Sequence, residues 1–355
     1  MSQLDGLRAL AVAGVAWHHW APPRYHYGLP WGSGVSLFFV LSGFLITGLL
    51  LDARAAAAAS AESSPFRVWR NFYARRALRL FPLYYVVLAA VTAGGIVRLD
   101  EDFAWHFFYA TNYYVIGRGE WIGFPSHLWT LAVEEQFYLG WPLLVLLVPL
   151  RRMLASLLLV TLTGLLFGFV ASVWFADVTM LGLATPAQFF TLGLGATVAW
   201  LVRNPVTWWN WIVRHRAGML AILAAAWSGL LFLPRGPISG NASGLLLGGI
   251  FALMVLGAAK GYAGWVGRAL QTPLLGYIGR ISYGLYLWHN FVAAPTSMVF
   301  RAWPALGEIP GSIYLVKAGC TFVLAALSWH LLEKPINGLK RYFPYSARPA
   351  ATVSA

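Results

Sequence analysis

Two adjacent carboxylates, Glu134 and Glu135, are the only formally charged residues between positions 121 and 150, in a stretch that reads HLWTLAVEEQFYLGWPLL. An ionised side chain at the centre of a membrane helix costs about 2.5–3.5 kcal/mol on insertion scales, so these acids are candidates for function, and for proton handling above all. At about 100° per residue, His127, Glu134 and Tyr138 share one helical face, while Glu135 points elsewhere. Alternatively, one glutamate neutralises an arginine of a neighbouring helix.

The first apolar segment carries Arg8 and His19 within LDGLRALAVAGVAWHHW. The two residues are 11 positions apart, which is about 20° from eclipsed on an α-helix and about 16 Å along its axis. His18 points about 80° away from Arg8, so His19 is the histidine that can act with the arginine. Its imidazole suits a general base. The alternative is an arginine that reaches the inner headgroups and a histidine hydrogen-bonded at the outer end.

Paired guanidinium groups occur in NFYARRALRLFPLYY, where Arg76 and Arg79 lie three residues apart on one helical face. Such groups are always charged and bind phosphate bidentately, so the pair suits phosphate recognition. Positive charge that orients a membrane protein explains most clusters of this kind, including Arg67 and Arg70. It explains Arg79 less well, because Arg79 lies nearest the apolar run.

Two further ionisable residues lie in or next to apolar segments. His289, in ISYGLYLWHNFV, is expected to be a buried neutral histidine that donates a hydrogen bond to a neighbour. Glu333, in LLEKPI, is expected at the inner boundary of the last segment, where it caps a helix or pairs with a cation. The acids and histidines never fall into a known ligand spacing, so no metal site is expected.

The composition is that of a polytopic helical membrane protein rather than a soluble domain. Of the 355 residues 59% are hydrophobic and 10% are charged, against about 25% charged in soluble domains. Apolar runs long enough to cross a bilayer recur along the chain. The sequence therefore predicts an all-α fold with about ten spans, at residues 4–22, 31–51, 79–97, 127–149, 154–175, 179–201, 217–233, 241–259, 281–300 and 311–332.

The distribution of basic residues predicts the topology. With both termini in the cytoplasm, 18 of the 25 Lys and Arg residues fall on the cytoplasmic side and five on the other. This accounts for the net charge of +13 without a nucleic-acid partner. Residues 53–65 are predicted to form a low-complexity loop and residues 98–126 to contain a short helix at the outer interface. One membrane domain is expected over residues 1–340, followed by a short cytoplasmic tail over 341–355.

Taken together and in this order, these segments resemble the membrane acyltransferase-3 family, whose members acylate polysaccharides, macrolides and related acceptors. The resemblance covers residues 4–336. It rests on Arg8 and His19 at the family's spacing, on Arg76-x-x-Arg79, and on the segments LFFVLSGFLIT, LWTLAVEEQFYLGWP, ISYGLYLWH and LEKP. Ser36 stands where the family usually shows an aspartate. Some members carry a C-terminal hydrolase-like domain, which is not expected here.

The resemblance implies transfer of an acyl group, with acetyl expected first, from cytoplasmic acyl-CoA to a hydroxyl of a glycan, glycolipid or macrolide at a bacterial inner membrane. Arg76 and Arg79 would hold CoA phosphates, and Arg8 would extend the positive path inward. His19 would act as general base or carry the acyl group itself. Glu134 or Glu135 would orient that histidine, as the third member of a triad does. Supporting roles are expected for Tyr138, His289, Ser36 and Glu333.

Two other classes of function use the same residue types. In a proton-coupled transporter or flippase, intramembrane acids and histidines relay protons. Discontinuous helices or an inverted repeat would favour that class, and the sequence shows neither. A membrane sensor would carry out no chemistry. Release of free thiol from acyl-CoA separates the enzyme from both.

Overall fold

The computed structural model describes residues 2–59, 64–175, 180–234 and 236–345, and within them it contains helices and turns but no strand. In these residues the α-helices are α1 (Ser2–Trp20), α2 (Gly34–Ala58), α3 (Pro65–Ala93), α4 (Phe103–Phe107), α5 (Thr111–Arg118), α6 (Trp129–Leu147), α7 (Leu150–Trp174), α8 (Thr185–Arg203), α9 (Thr207–Leu230), α10 (Pro237–Lys260), α11 (Gly264–Leu270), α12 (Pro273–Arg280), α13 (Ser282–Trp288), α14 (Ala293–Ala302), α15 (Ser312–Ser328) and α16 (Lys334–Gly338). A π-helical turn, Trp329–Glu333, joins α15 to α16.

Several helices are long and apolar enough to cross a membrane, which confirms the class of a multi-pass helical membrane protein. Within the described residues there are six such segments: Trp31–Ala58, Pro65–Ala93, Leu150–Trp174, Thr185–Arg203, Pro237–Lys260 and Ser312–Tyr342. Helices α1, α6 and α9 occupy the first, fourth and seventh predicted spans, but polar and charged residues make them less apolar. The number of ten spans and the cytoplasmic location of both termini stay predictions.

The predicted span over residues 281–300 is not one continuous helix. Helix α13 ends at Trp288 and α14 begins at Ala293, so His289 follows a seven-residue helix instead of lying within a long one. Proline lacks an amide hydrogen and fits best in the first turn of a helix. Pro295 therefore favours a new start at Ala293 over a helix that runs on from α13.

Two other boundaries differ from the sequence predictions. Residues 53–58 belong to α2 and not to a loop, because alanine is the strongest helix former. The segment 98–126 contains two short helices, α4 and α5, where one was predicted. Residues 60–63, the predicted start of the sixth span at 179, Arg235 and the tail from 346 onward lie outside the described residues.

Helix α2 forms the centre of the bundle and packs against α1, α3, α6, α8 and α10. Its most extensive contact is with α8, where the two backbones approach at glycines. A Cβ on Gly43 would overlap the Leu192 carbonyl, and a Cβ on Gly195 would overlap the Val40 carbonyl. Small residues at such crossings let membrane helices pack backbone to backbone. This contact fixes the position of α2, along which part of the candidate site lies.

We expect Gly195→Ala to destabilise the protein, because the added methyl group meets main-chain atoms of α2 that cannot move aside alone. Overpacking of this kind costs about 1–3 kcal/mol. The matched control is Gly168→Ala on α7, where a Cβ meets nothing within 4 Å. Heating in detergent followed by size-exclusion chromatography should show a lower melting temperature for Gly195→Ala only. Equal melting temperatures for the two variants would contradict the close α2–α8 contact.

Candidate active site

Three adjoining cavities run through the bundle. The histidine cavity has a volume of about 460 Å³ and is lined by His19, His127 and Tyr286, among others. The glutamate cavity, of about 70 Å³, is lined by Ser42, Glu134 and Tyr138. The arginine cavity, of about 620 Å³, is lined mainly by basic side chains.

Shared residues show how the three cavities connect. Arg8, Arg76 and Arg79 line both the arginine cavity and the glutamate cavity. Val35 and Tyr286 line both the glutamate cavity and the histidine cavity. The cavities therefore lie in a row, with the glutamate cavity between the other two.

The arginine cavity has a large excess of positive charge. Among the described residues, one carboxylate, Asp52, lines it. Six cations also line it: Arg8, Arg75, Arg76, Arg79, Arg203 and Lys340. Asp52 is already engaged, since Arg203 donates two hydrogen bonds of 2.7 Å to its two oxygens. Such a concave cationic surface raises the local concentration of anions.

Arg75 and Tyr345 complete one wall of this cavity. Arg75 Nη1 donates to the main-chain carbonyls of Lys340 at 2.9 Å and Phe343 at 3.3 Å, which ties α3 to the end of the chain's described part. Its guanidinium carbon lies 5.0 Å from the centre of the Tyr345 ring. Burial raises the pKa of Tyr345, so this phenol stays neutral beside the cations.

Glu134 is held in the glutamate cavity by Ser42, which the sequence did not single out as a site residue. Ser42 Oγ donates to Glu134 Oε1 at 2.5 Å and lies 3.0 Å from the hydroxyl of Tyr138. The Arg76 guanidinium carbon lies 4.6 Å from the centre of the Tyr138 ring. The signal for Ser42 was its place in the family segment LFFVLSGFLIT, but nothing in its spacing linked α2 to α6.

The structure distinguishes the two glutamates by position. Glu134 lies within range of electrostatic interaction with Arg8 and Arg76 and faces the cavity. Glu135 Oε1 is buried and has no hydrogen-bond partner among the described residues. The predicted common helical face is confirmed for Glu134 and Tyr138, since both contact Ser42, but the prediction is wrong for His127. His127 precedes α6 in a 3-10 turn, Phe124–Leu128, and lines a different cavity.

Four imidazoles meet at the histidine cavity: His18, His19 and His127 line it, and His289 lies against His19. His19 Nδ1 lies 2.9 Å from His289 Nε2, and His289 Nδ1 lies 2.5 Å from the Tyr286 carbonyl. The ring centre of His127 lies 4.8 Å from that of His289. Trp20 Nε1 donates to the His289 carbonyl at 2.9 Å, which joins the end of α1 to the break after α13. The expected buried position of His289 is confirmed, with a relative exposure of 1%.

These contacts correct one expected partnership. Glu134 or Glu135 was expected to orient His19, but the hydrogen-bond partner of its Nδ1 in the described part of the chain is His289. Glu134 is paired with Ser42 instead. The reason is topological, because the turn after α13 packs against the end of α1, where Trp20 donates to the His289 carbonyl, and so places His289 beside His19.

The remaining predicted residues lie around the same row of cavities. Ser36 lines the histidine cavity, and Arg8 also lies 3.5 Å from Asp5. Glu333 is 3% exposed at the π-helical turn and interacts electrostatically with Arg79. The histidine cavity further contains Trp121, Trp129, Gln188 and Asn290. No group of three or more metal-binding side chains occurs among the residues that the structure describes.

Comparisons with known proteins give a consistent result. A family model described as an acyltransferase domain matches residues 1–330. Peptidoglycan O-acetyltransferase OatA of Listeria monocytogenes is 31% identical, over 96% of this chain and 56% of its own. O-acetyltransferase OatA of Staphylococcus aureus is 27% identical, over 94% of this chain and 57% of its own. The chain thus spans less than two thirds of the length of these relatives, and no solved structure matches it.

If the arginine cavity opens into the glutamate cavity, its positive charge should favour the access of anions to Ser42, and this can be tested. In a Cys320→Ser background, which removes the single cysteine, Ser42→Cys should react faster with an anionic methanethiosulfonate reagent than with a cationic one of similar size. Electrostatic focusing in a cationic cleft accounts for a factor of roughly 10 or more. Val133→Cys on α6, whose native side chain is fully buried, should react with neither. Equal rates for both reagents at Ser42→Cys would rule out access through the arginine cavity.

Proposed function

Because the chain belongs to the acyltransferase-3 family, as its motifs predicted, we propose that it is a membrane O-acyltransferase. The donor is acyl-CoA, with acetyl as the first expected group, and the acceptor is a hydroxyl of a glycan. The observation that supports this most strongly is the row of cavities that links a cationic chamber to an exposed histidine. Such a row gives a polyanionic donor and a hydroxyl-bearing acceptor separate binding sites that lead to one histidine.

The arginine cavity is the proposed site for the phosphates of CoA. These phosphates carry several negative charges, and guanidinium groups bind them bidentately. Arg203 is occupied by Asp52 and Arg75 by main-chain carbonyls. Arg76 and Arg79 have no hydrogen-bonded carboxylate in the described structure, so they are the cations best placed to bind phosphate.

The glutamate cavity is the proposed path of the acyl-bearing arm of the donor. Its small volume, about 70 Å³, fits a slender chain better than a nucleotide. Arg8 and Arg76 would stabilise the thiolate that forms as the acyl group departs. Glu134, hydrogen-bonded to Ser42, balances their charge and keeps the buried cations from being wholly unpaired.

The histidine cavity is the proposed site of transfer to the acceptor. Trp121 and Trp129 offer flat apolar faces, and Gln188 and Asn290 offer amides that can bind hydroxyl groups. A sugar has both kinds of surface, and one relative carries peptidoglycan in its name. His19 takes the proton of the acceptor hydroxyl, the oxygen bonds to the acyl carbon, and the carbon–sulfur bond breaks. The proton ends on the CoA sulfur, so the reaction balances.

The acyl group can also be transferred in two steps, with His19 as the carrier of the acyl group. His19 attacks the acyl carbon and CoA leaves as the thiol, and the acceptor hydroxyl then takes the acyl group from the imidazole. This route lets the donor and the acceptor occupy the protein at different times. It suits a protein in a bacterial inner membrane whose substrates approach from opposite sides.

A transporter is the second candidate, since one observation favours it. The break between α13 and α14 is a discontinuous helix, the feature that often marks the substrate site of a transporter. A transporter that carries a glycan or a lipid precursor would release no thiol from acyl-CoA. A measurement of free thiol in the presence of acyl-CoA therefore separates the two functions.

We expect His19→Ala to lower the rate of acetyl transfer by about 10²-fold or more, the usual contribution of a general base. The assay uses purified protein, labelled acetyl-CoA and peptidoglycan fragments, and it measures both free thiol and label on the fragments. His215→Ala is the matched control, since this exposed histidine lies outside the three cavities. No thiol release by the wild-type protein would favour the transporter, and full activity of His19→Ala would remove this residue from the mechanism.

We expect Arg79→Ala to raise the KM for acetyl-CoA by about 10-fold, as the loss of one charge-assisted phosphate contact predicts. The matched control is Arg70→Ala, which removes an exposed arginine of the same helix that does not line the arginine cavity. Steady-state kinetics with acetyl-CoA as the varied substrate gives the comparison. A KM that is equal in the two variants would place the CoA phosphates elsewhere.

A further inference from the structure

The turn after α13 presents one ring nitrogen of His289 to a main-chain carbonyl. His289 Nδ1 lies 2.5 Å from the Tyr286 carbonyl oxygen. A carbonyl can only accept a hydrogen bond, so Nδ1 must carry the hydrogen. Whether the other ring nitrogen, Nε2, also carries a hydrogen then depends on the charge of the ring: it does in the cation and does not in the neutral form.

His289 is best satisfied as a neutral ring. It is 1% exposed, and none of its hydrogen bonds within the described structure is to a carboxylate. A buried charge without a partner is costly, and the imidazoles of His19 and His127 on either side provide no negative charge. A neutral ring with a hydrogen on Nδ1 has a lone pair on Nε2.

The lone pair of His289 determines the tautomer of His19. Since His289 Nε2 accepts, His19 Nδ1 must donate across the 2.9 Å that separates them. The Val15 carbonyl, one turn earlier in α1, also interacts with the His19 imidazole. At the same spacing on α9, His215 contacts the Trp211 carbonyl through Nδ1 at 2.9 Å. A hydrogen on Nδ1 is therefore compatible with both neighbours of His19, and His289→Leu shows whether the Val15 carbonyl alone can hold it there.

We propose that His289 is a positioning residue that fixes His19 as the Nδ1–H tautomer and so leaves Nε2 of His19 free as the reactive atom in the histidine cavity. His19 is exposed to this cavity, whereas His289 is buried behind it. When His19 Nε2 takes a proton, the hydrogen on Nδ1 stays bonded to His289. The tautomer rests on the contacts alone, and its use in catalysis rests on the proposed function.

Three substitutions of His289 separate positioning from packing. His289→Gln can place an acceptor near the position of Nε2, and His289→Asn can keep a donor near the Tyr286 carbonyl but cannot reach His19. His289→Leu keeps neither group. We expect His289→Gln to retain kcat within about 10-fold of wild type. His289→Asn and His289→Leu should lose about 10²–10³-fold in kcat with an unchanged KM for acetyl-CoA, as expected when the base adopts the wrong tautomer.

A spectroscopic measurement tests the tautomer without any assay of activity. In protein labelled with ¹⁵N-histidine, long-range proton–nitrogen correlations report which ring nitrogen carries the hydrogen, and His19→Gln identifies the His19 signals by their loss. We expect Nδ1–H in the wild type and in His289→Gln, and Nε2–H or a mixture in His289→Leu. Nε2–H in the wild type would overturn the proposal, as would an unchanged tautomer in His289→Leu.

The activity results have equally definite meanings. An active His289→Asn with an inactive His289→Gln would show that His289 acts through the turn at Tyr286, and would overturn the proposal. If all three variants are inactive, the His19 tautomer in folded His289→Leu decides the matter. A wild-type protein with the expected tautomer and no thiol release would refute the proposed function while leaving the tautomer assignment intact.

Discussion

Charged and polar groups inside a bilayer must find partners within the protein, and this constraint accounts for the arrangement of the whole site. The six cations of the arginine cavity lie around a large space into which an anion can enter. Where the passage narrows, Glu134 interacts with Arg8 and Arg76 and accepts a hydrogen bond from Ser42. Farther along, no acid among the described residues lines the histidine cavity, where imidazoles bond to carbonyls and to one another. Charge therefore decreases from one end of the row to the other.

Two helices carry residues into every cavity of this row. On α1, Arg8 lines the arginine and glutamate cavities and His19 lines the histidine cavity. On α2, Ser36, Ser42 and Asp52 each line a different one. The glycine contact between α2 and α8 therefore does more than stabilise the bundle. A shift of α2 along its axis would move a residue in each cavity at once.

The sequence predicts most of the site residues but fewer of their partners. Periodicity within one helix placed Glu134 with Tyr138, because both positions belong to the same rigid element. It could not link Ser42 to Glu134, since that contact joins α2 to α6 and depends on how the helices pack. The same limit explains why His289 and not a glutamate meets His19. The break after α13 was also missed, because the apolar run resumes directly after His289 and Asn290, so that hydropathy predicts one helix.

The break between α13 and α14 explains why a histidine, and not a carboxylate, lies beside His19. A carboxylate there would be a second buried charge, and its desolvation would have to be offset by hydrogen bonds that a helix interior does not offer. A neutral imidazole needs only one acceptor, and the Tyr286 carbonyl supplies it. In a longer α-helix, the amide of Asn290 would donate to the Tyr286 carbonyl. Because α13 ends at Trp288, Asn290 lies beyond the helix end and the carbonyl is available to His289. The short helix and the neutral histidine pair thus depend on each other.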